Sequence, residues 1–343
     1  MSPLLRLSQE QYLLPHLYLS SRRFGVIMTT LDFQSLLKQE KALRRAELKQ
    51  QHAPKENVDS LEAAGTDRQV SKVAATPTGD DRTETPPWFL ELAEQPPLEM
   101  DKMRVGDTPT IFYVPDFISE ADEQQILGRT YATDVEANAS NEWVSLRTRR
   151  LKCWGGQPGE SFRPEPLPPW VEALCDSLVA RGVFAEENRP NHVLLNEYQP
   201  GQGIMAHTDG PFYQPRTATL SLGSDAVMHF SPRLAPADVG RPGVESRPQA
   251  SLVLRARCLV VFADDAYSDQ LHSIDAVREE TVGGASGGGG GNGRAPVVNA
   301  EAAGLPEGTL LRRKLRVSLT FRRISTTNTS SAARGGDKDA KVD

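Results

Sequence analysis

The sequence has few cysteines, no long apolar run and no excess of basic residues. Its three cysteines, Cys153, Cys175 and Cys258, cannot pair evenly and none lies in a C-x-x-C motif. This excludes a disulfide framework and indicates a reducing compartment. No apolar run approaches the roughly 20 residues that cross a bilayer. The net charge of −6 argues against general attraction to phosphate backbones or anionic membranes. We therefore expect a soluble intracellular protein without membrane association.

The length of 343 residues suits one core of ordinary size, with tails and linkers around it. We predict a disordered or weakly targeting segment over 1–30, a solvated helix over 31–51, a linker over 52–107, a folded domain over 108–325 and a disordered tail over 326–343. Within the domain, a β-rich core over 190–325 carries two insertions, 231–250 and 281–308. The apolar stripe of the 31–51 helix could bind a protein partner.

The first 30 residues combine arginines and serines with one acidic residue, Glu10, which is similar to a weak transit peptide. A disordered start, with Met28 as a later initiator, is the favoured alternative. We expect a monomer in the nucleus or cytoplasm, with mitochondrial targeting by residues 1–30 as the alternative.

The folded domain begins with helical signals and continues with short strands. Ser119 and Asp122 predict a capped helix, and the segment "LPPWVEALCDSLVARG" predicts a second helix that stops at Gly182. The strand candidates that follow are "HVLLNEY", "TATLSLG", "AVMHFS", "SLVLRARCLVVFAD" and "LRVSLTFRRI". This order predicts an α+β fold in which a two-sheet barrel or sandwich carries the chemistry.

The segment "HTDGPF" places His207 and Asp209 two residues apart, so in extended chain both side chains point to one side. They are two of the three ligands of a 2-His-1-carboxylate facial triad, although an isolated H-x-D is more often a surface turn. A third ligand has to come from a distant strand. The other histidines are His16, His52, His192, His229 and His272. His272, in "DQLHSI", is the best candidate.

The segment "RVSLTFRR" alternates polar with apolar residues. In a strand, Arg316, Ser318, Thr320 and Arg322 lie on one face. An inward face with two arginines is unstable without an anionic partner, and a dicarboxylate, gripped by guanidinium groups, provides one. The alternative is an edge strand whose polar face is hydrated.

The segment "EWVSLRTRRLKCWGG" predicts a hairpin with a basic face and a Gly-Gly turn. It concentrates Arg147, Arg149, Arg150 and Lys152 beside Trp154. A basic strand with an aromatic residue suits contact with a nucleic-acid backbone and stacking of bases. A solvated charge cluster next to a core tryptophan is the alternative.

Taken together, "NEYQPGQGIMAHTDG", "LHSI" and "RVSLTFR" resemble the AlkB family of Fe(II)/2-oxoglutarate-dependent dioxygenases. The segments "FYVPDFIS", "RRLKCWGG" and "LPPW" are most similar to its homolog-six subgroup. The resemblance covers residues 108–325 apart from the two insertions. It implies a double-stranded β-helix (jelly-roll) core, with Fe(II), 2-oxoglutarate and O2 as cofactor and co-substrates.

Carried over residue by residue, the resemblance implies that His207, Asp209 and His272 hold the iron. It implies that the co-substrate is bound by Asn196, Tyr198, Arg316, Ser318 and Arg322. Ser318 departs from the asparagine of many members, and the His272–Arg316 spacing is longer than usual because of the glycine-rich insertion.

The activity implied is oxidative demethylation of alkylated RNA or DNA bases, with release of succinate, CO2 and formaldehyde. The residues expected near the substrate are Arg149, Arg150, Lys152, Trp154, Phe212 and Tyr213. The same chemistry on a protein side chain and a non-catalytic RNA- or protein-binding module are the alternatives.

Overall fold

A computed structural model of the chain describes residues 33–51, 92, 95–108, 110–132, 142–159, 161–235, 237–238, 241, 246–283 and 295–324. The predicted segment 1–30, the tail 326–343 and the glycine run of the second insertion lie outside these residues. In the described part of the chain, no helix is long and apolar enough to cross a membrane.

The described strands form two main antiparallel sheets and a small ribbon. In chain order they are β1 (Ile111–Val114), β2 (Val144–Ser145), β3 (Arg150–Trp154), β4 (His192–Tyr198), β5 (Ile204–His207), β6 (Tyr213–Leu222), β7 (Ala226–Pro232), β8 (Ala250–Leu254), β9 (Leu259–Ala263), β10 (Gln270–Ile274), β11 (Glu279–Thr281), β12 (Leu310–Arg312) and β13 (Arg316–Ile324). The major sheet has the order β1-β9-β6-β13-β4-β3-β2, and the minor sheet has the order β5-β10-β7-β8. The ribbon pairs β11 with β12.

Four α-helices accompany the sheets in the described residues: α1 (Phe33–Gln51), α2 (Glu120–Tyr131), α3 (Pro169–Ala180) and α4 (Asp264–Ser268). Ser119 caps α2, and a reciprocal bond from its backbone to Asp122 completes a capping box. Pro169 opens α3, where the missing N–H is not needed. Gly182 follows α3 with a φ of 73°, the left-handed conformation that ends helices at glycine.

The major sheet separates two apolar clusters. Val317, Leu319 and Phe321 of β13 pack with α3 on one face of the sheet. On the other face, residues of β4 and β9 pack against residues of the minor sheet, such as Phe230 and Leu252. The two facing sheets form the jelly-roll core, which confirms the predicted α+β class.

Some boundaries differ from the predictions. The single strand predicted over "SLVLRARCLVVFAD" is two strands, β8 and β9, which belong to different sheets. Arg257, with a φ of 67°, lies in the turn between them. Val105, within the predicted linker, is buried, and Leu98 donates its backbone N–H to the carbonyl of Arg181. The end of that linker is therefore part of the folded domain.

The second insertion and the N-terminal helix also pack on the domain. Asn299 bonds through its side chain to the backbone N–H and carbonyl of Val253, at 2.8 Å each. The segment predicted as a solvated helix is helical as α1, but its Glu40 is buried and its Leu37 packs against the core. Leu37 of the predicted apolar stripe therefore faces this domain, whereas Leu43 is exposed.

Candidate metal centre and co-substrate pocket

Two histidines and an aspartate converge between the sheets. His207 ends β5 and pairs directly with His272, at the centre of the neighbouring strand β10. Their ring centroids are 4.3 Å apart. Asp209 follows two residues after β5, and the candidate ligand atoms of the three residues all lie within 4.8 Å of one another. All three side chains are buried, so the fold brings together the residues that the motifs predicted.

The tautomer of His207 is set by its backbone contact. Its Nδ1 lies 2.8 Å from the carbonyl oxygen of Met205. A carbonyl only accepts, so Nδ1 carries the proton and Nε2 keeps the lone pair that a metal requires. Burial lowers the pKa of His207 well below its usual range, and the neighbouring His272 lowers it further. Burial also lowers the pKa of His272. Both rings are therefore neutral, as metal ligands must be.

Two side chains hold Asp209. Arg322 donates to its Oδ1, and the hydroxyl of Thr217 donates to its Oδ2 at 2.6 Å. Burial alone would raise the pKa of Asp209, but the charge of Arg322 and the other contacts lower it to about 2. The carboxylate is therefore ionised and fixed in rotation. Arg322 also lies against Tyr213, with its guanidinium carbon 5.0 Å from the ring centroid.

The turn after His207 is fixed from a distant element. The hydroxyl of Tyr267, in α4, donates to the carbonyl of Gly210 at 2.8 Å. Gly210 has a φ of 103°, which favours glycine. The "HTDG" turn is thereby held over the space between the sheets.

The polar face of β13 lines the adjoining pocket. In the pairing with β4, Arg316 lies opposite Tyr198 and Ser318 lies opposite Asn196. All four side chains are buried, and the guanidinium carbon of Arg316 is 5.5 Å from the ring centroid of Tyr198. The predicted inward polar face is therefore present, and it meets the two predicted residues of β4 because the strands pair in this register.

The hydrogen bonds of Arg316 indicate whether this pocket suits a dicarboxylate. Its Nη2 donates to the hydroxyl of Ser221 at 2.9 Å, whereas its Nε and Nη1 are buried and have no hydrogen-bond partner in the described part of the chain. It forms no ion pair with the described residues, and burial lowers its pKa. A buried guanidinium with unused donors fits a carboxylate ligand. The triad offers two neutral imidazoles and one carboxylate, the donor set that suits Fe(II).

Most of the residues predicted to touch substrate do not face solvent. Arg149, Lys152 and Trp154 are buried. Arg149 pairs with Glu40, Lys152 donates to the carbonyl of Thr130, and Trp154 packs edge-on against Trp170. The hairpin thus lacks the continuous basic face expected from the sequence, because interior partners take these side chains. Arg150 is half-buried and pairs with Glu197.

A cleft of about 310 Å³ reaches Tyr213, which lies against Arg322, the partner of Asp209, so the cleft adjoins the candidate metal centre although none of its three candidate ligands lines it. His192, Cys153, Trp143 and residues of α1 also line the cleft. Cys153 Sγ lies 3.0 Å from His192 Nε2. Burial lowers the pKa of His192 to about 3 and raises that of Cys153 to about 12, so the pair is a neutral thiol in contact with a neutral imidazole. Phe212 is half-buried next to Tyr213.

Several residues of this region were not predicted, among them Thr217, Ser221 and Glu40. Thr217 and Ser221 lie on β6 opposite Arg322 and Ser318. Their alternation in "TATLSL" was a usable signal, since Thr217, Thr219 and Ser221 are all buried on one face. Glu40 had no local signal, because its partner Arg149 is distant in sequence.

Comparison with known proteins agrees with this geometry. Residues 110–322 match the family described as the 2OG-Fe(II) oxygenase superfamily. The chain is 36% identical over 230 residues to the "Probable RNA/DNA demethylase ALKBH6" of Danio rerio, covering 66% of this chain and 91% of that protein. It is 27% identical over 226 residues to the "tRNA (carboxymethyluridine(34)-5-O)-methyltransferase ALKBH8" of Macaca fascicularis, covering 64% of this chain and 31% of that protein.

A structural comparison with OsALKBH1 gives a TM-score of 0.39 and 16% identity, covering 62% of this chain and 98% of that one. The family assignment rests on the sequence matches, which span the metal centre and the polar strand. The chain belongs to the 2OG-Fe(II) oxygenase superfamily, within its AlkB family, and is an oxidoreductase that uses Fe(II), 2-oxoglutarate and O2.

Proposed function

We propose that His207, Asp209 and His272 hold the ferrous ion and that this oxygenase demethylates alkylated bases of RNA or DNA. The observation that carries the proposal is the position of Arg316. Its buried Nε and Nη1 have no partner among the described residues, and it lies on the same polar strand face as Arg322, the partner of Asp209. A metal centre beside a cationic pocket suits an oxidation that needs an anionic co-substrate.

The bound ferrous ion, with O2, supplies oxidation of a C–H bond coupled to decarboxylation of 2-oxoglutarate to succinate and CO2. The residues of this chain hold and orient the reactants. His207 and His272 present neutral imidazoles, and Asp209 presents a carboxylate kept ionised by Arg322. Thr217 and Arg322 prevent that carboxylate from rotating, which fixes one side of the metal site.

The co-substrate roles follow from the pairing of β13 with β4. Arg316 would bind the distal carboxylate through its unused donors, while Tyr198 and Asn196 would donate from the opposite strand. Ser318 pairs directly with Asn196, so its short hydroxyl leaves room between these strands. Arg322 would contact the co-substrate at the metal end.

A nucleobase suits the cleft beside the metal centre. Trp143 lines this cleft, with the Arg150 guanidinium carbon 4.1 Å and the Lys152 ammonium nitrogen 4.9 Å from its ring centroid. An aromatic ring held in place by cations favours stacking of a base. The name of the Danio rerio relative points to the same substrate class.

The proposal is tested by turnover of the full chain with Fe(II), 2-oxoglutarate, O2 and methylated oligonucleotides. We expect succinate and formaldehyde in equal amounts, and only background succinate with the unmethylated oligonucleotide of the same sequence. His207→Ala should abolish both products. Full turnover by that variant would contradict the ligand assignment.

A protein side chain is a second candidate substrate. Arg149, Lys152 and Trp154 are buried, which removes much of the basic surface expected of a nucleic-acid lid. Methylated and unmodified peptides assayed beside the oligonucleotides separate the two candidates, because substrate-dependent succinate should appear with only one class. A monomer in the nucleus or cytoplasm remains a prediction, which fractionation of cells and light scattering would test.

A further inference from the structure

Helix α1 places an acidic side chain inside the oxygenase domain, although it lies outside the family match over residues 110–322. Glu40 is buried, whereas most of the described residues of the helix are exposed or half-buried. Its Oε2 accepts from Arg149 Nη1 at 2.5 Å, and its Oε1 accepts from the hydroxyl of Thr148 at 2.8 Å. Both carboxylate oxygens are therefore occupied by the turn that precedes β3.

Arg149, the partner of Glu40, contacts a residue of the proposed co-substrate pocket. Arg149 Nε donates to Asn196 Oδ1 at 3.0 Å. Guanidinium nitrogens only donate, so the side-chain oxygen of Asn196 has to face Arg149 and its NH2 group faces away. Asn196 lies on β4 opposite Ser318, on the strand face that carries Tyr198 and Arg316. The orientation of this amide thus depends on Arg149.

The Glu40–Arg149 ion pair is not explained by a contribution to the stability of the fold alone. The side chains of Arg149 and Glu40 are 0% and 3% exposed, and a buried ion pair is often no more stabilising than well-packed apolar residues of similar volume. The ion pair has a specific geometric effect, because Glu40 fixes the position of the guanidinium that bonds to Asn196. Gln34, Leu37 and Lys41 of the same helix line the cleft beside the metal centre, so α1 borders that cleft and reaches Asn196 through Arg149.

We propose that Glu40 is a positioning residue for 2-oxoglutarate. Through Arg149 it holds Asn196 with the amide NH2 group available to the co-substrate, which makes α1 a part of the active site. The inference rests on the proposed role of Asn196 in binding 2-oxoglutarate.

The test measures 2-oxoglutarate binding to the full-length, Mn(II)-loaded protein by isothermal titration calorimetry, without turnover. Glu40→Gln should weaken binding by roughly tenfold, the lower range for outer-sphere partners in metal sites. Lys38→Gln, at an exposed position of the same helix, should leave it unchanged. Mn(II) affinity should be unchanged in both variants, whereas a generally loosened site would weaken Mn(II) and 2-oxoglutarate together.

A double-mutant cycle tests the route through Asn196. Asn196→Ala should weaken 2-oxoglutarate binding, and Glu40→Gln added to it should cause no further loss. If Glu40→Gln fails to fold, Glu40→Leu combined with Arg149→Met removes the ion pair without leaving a buried charge. That variant should show the same loss as Glu40→Gln.

Unchanged 2-oxoglutarate affinity in the Glu40 variants would overturn the inference, as would an equal loss in the wild-type and Asn196→Ala backgrounds. These outcomes leave the proposed function intact. Failure of the wild-type protein itself to bind 2-oxoglutarate would remove both proposals.

Discussion

Arg316 and Arg322 lie on the same face of β13 and are both buried, but their partners differ. Arg322 pairs with the carboxylate of Asp209, and the charge of Asp209 raises the pKa of Arg322 against the effect of burial. Among the described residues, Arg316 has only the hydroxyl of Ser221 as a hydrogen-bond acceptor, and burial lowers its pKa. One arginine therefore holds the carboxylate of a proposed metal ligand, and the other matches the proposed role of binding 2-oxoglutarate.

Replacing Arg316 by methionine should lower the affinity for 2-oxoglutarate and raise the stability of the ligand-free protein. We expect 2-oxoglutarate affinity to fall by at least about tenfold, because charge-assisted bonds to the carboxylate are lost. The ligand-free protein should become more stable by roughly 1–2 kcal/mol, since a buried guanidinium without an anionic partner is removed. Calorimetric titration and urea unfolding measure the two effects. Lys314→Met, at an exposed position two residues earlier, is the control and should change neither.

Asp209→Asn keeps the shape of the side chain and removes its charge. Mn(II) affinity should fall by at least about 100-fold, since this loss affects a direct ligand and outer-sphere changes alone reach 10–100-fold. Metal binding followed by electron paramagnetic resonance measures the change. Asp107→Asn, at an exposed position, is the matched control. Near-normal Mn(II) binding by Asp209→Asn would contradict its role as a ligand.

At the scale of elements, β3, β4 and α2 are joined by a polar cluster around Glu197. Arg150 donates to both carboxylate oxygens at 2.6 and 2.7 Å, and the hydroxyl of Tyr131 donates to Oε2 at 2.6 Å. Burial alone would raise the pKa of Glu197, but the bonds from Arg150 and Tyr131 lower it overall. The hairpin that borders the cleft is thus attached to the major sheet through an ionised carboxylate.

This cluster predicts a pH dependence of stability. The pKa of Glu197 is lower in the folded than in the unfolded protein, so its stabilisation is present above the ordinary value of 4.5 and is lost as the pH falls through the folded-state pKa. Glu197→Gln should lower stability near pH 7 and reduce its decline on acidification. Urea midpoints between pH 7 and pH 3 measure this. Glu186→Gln, at an exposed position, should follow the wild-type profile.

At the scale of the whole molecule, the metal centre joins the two sheets. His207 and His272 come from the minor sheet, whereas Arg316 and Arg322 come from the major sheet. Asp209 follows the minor sheet and bonds to Arg322 of the major sheet. A metal bound by the three proposed ligands would therefore link both layers, and the proposed co-substrate residues of β13 and β4 lie on the major sheet.

This arrangement predicts that ligands stabilise the whole domain. Mn(II) at 100 times its Kd should stabilise the folded state by about 2.7 kcal/mol, and 2-oxoglutarate should add a further increase in Tm. The 2-oxoglutarate increase should shrink when EDTA removes the metal, because one end of the co-substrate loses its anchor. Scanning calorimetry measures these shifts. Equal 2-oxoglutarate shifts with and without metal would argue against a shared site.

Several features of the site could be predicted because they depend on neighbouring residues. The spacing of His207 and Asp209, the alternation that begins at Arg316 and the cap at Ser119 follow from the period of a strand or the geometry of a helix end. The same rules failed where the outcome depended on distant contacts. The strand predicted across Arg257 became two strands because its halves join different sheets, and the buried Lys152 donates a hydrogen bond to the carbonyl of Thr130, which is distant in sequence.

The sequence by itself determined the class of fold, the H-x-D pair and the polar face of β13, because each is encoded by residues close together in the chain. Only the tertiary structure brought His272 opposite His207, buried Arg149 and inserted Glu40 from a helix outside the family match. Strand pairing and long-range burial decided these positions, since the free energy of placing a charge depends on the partner that the fold brings to it.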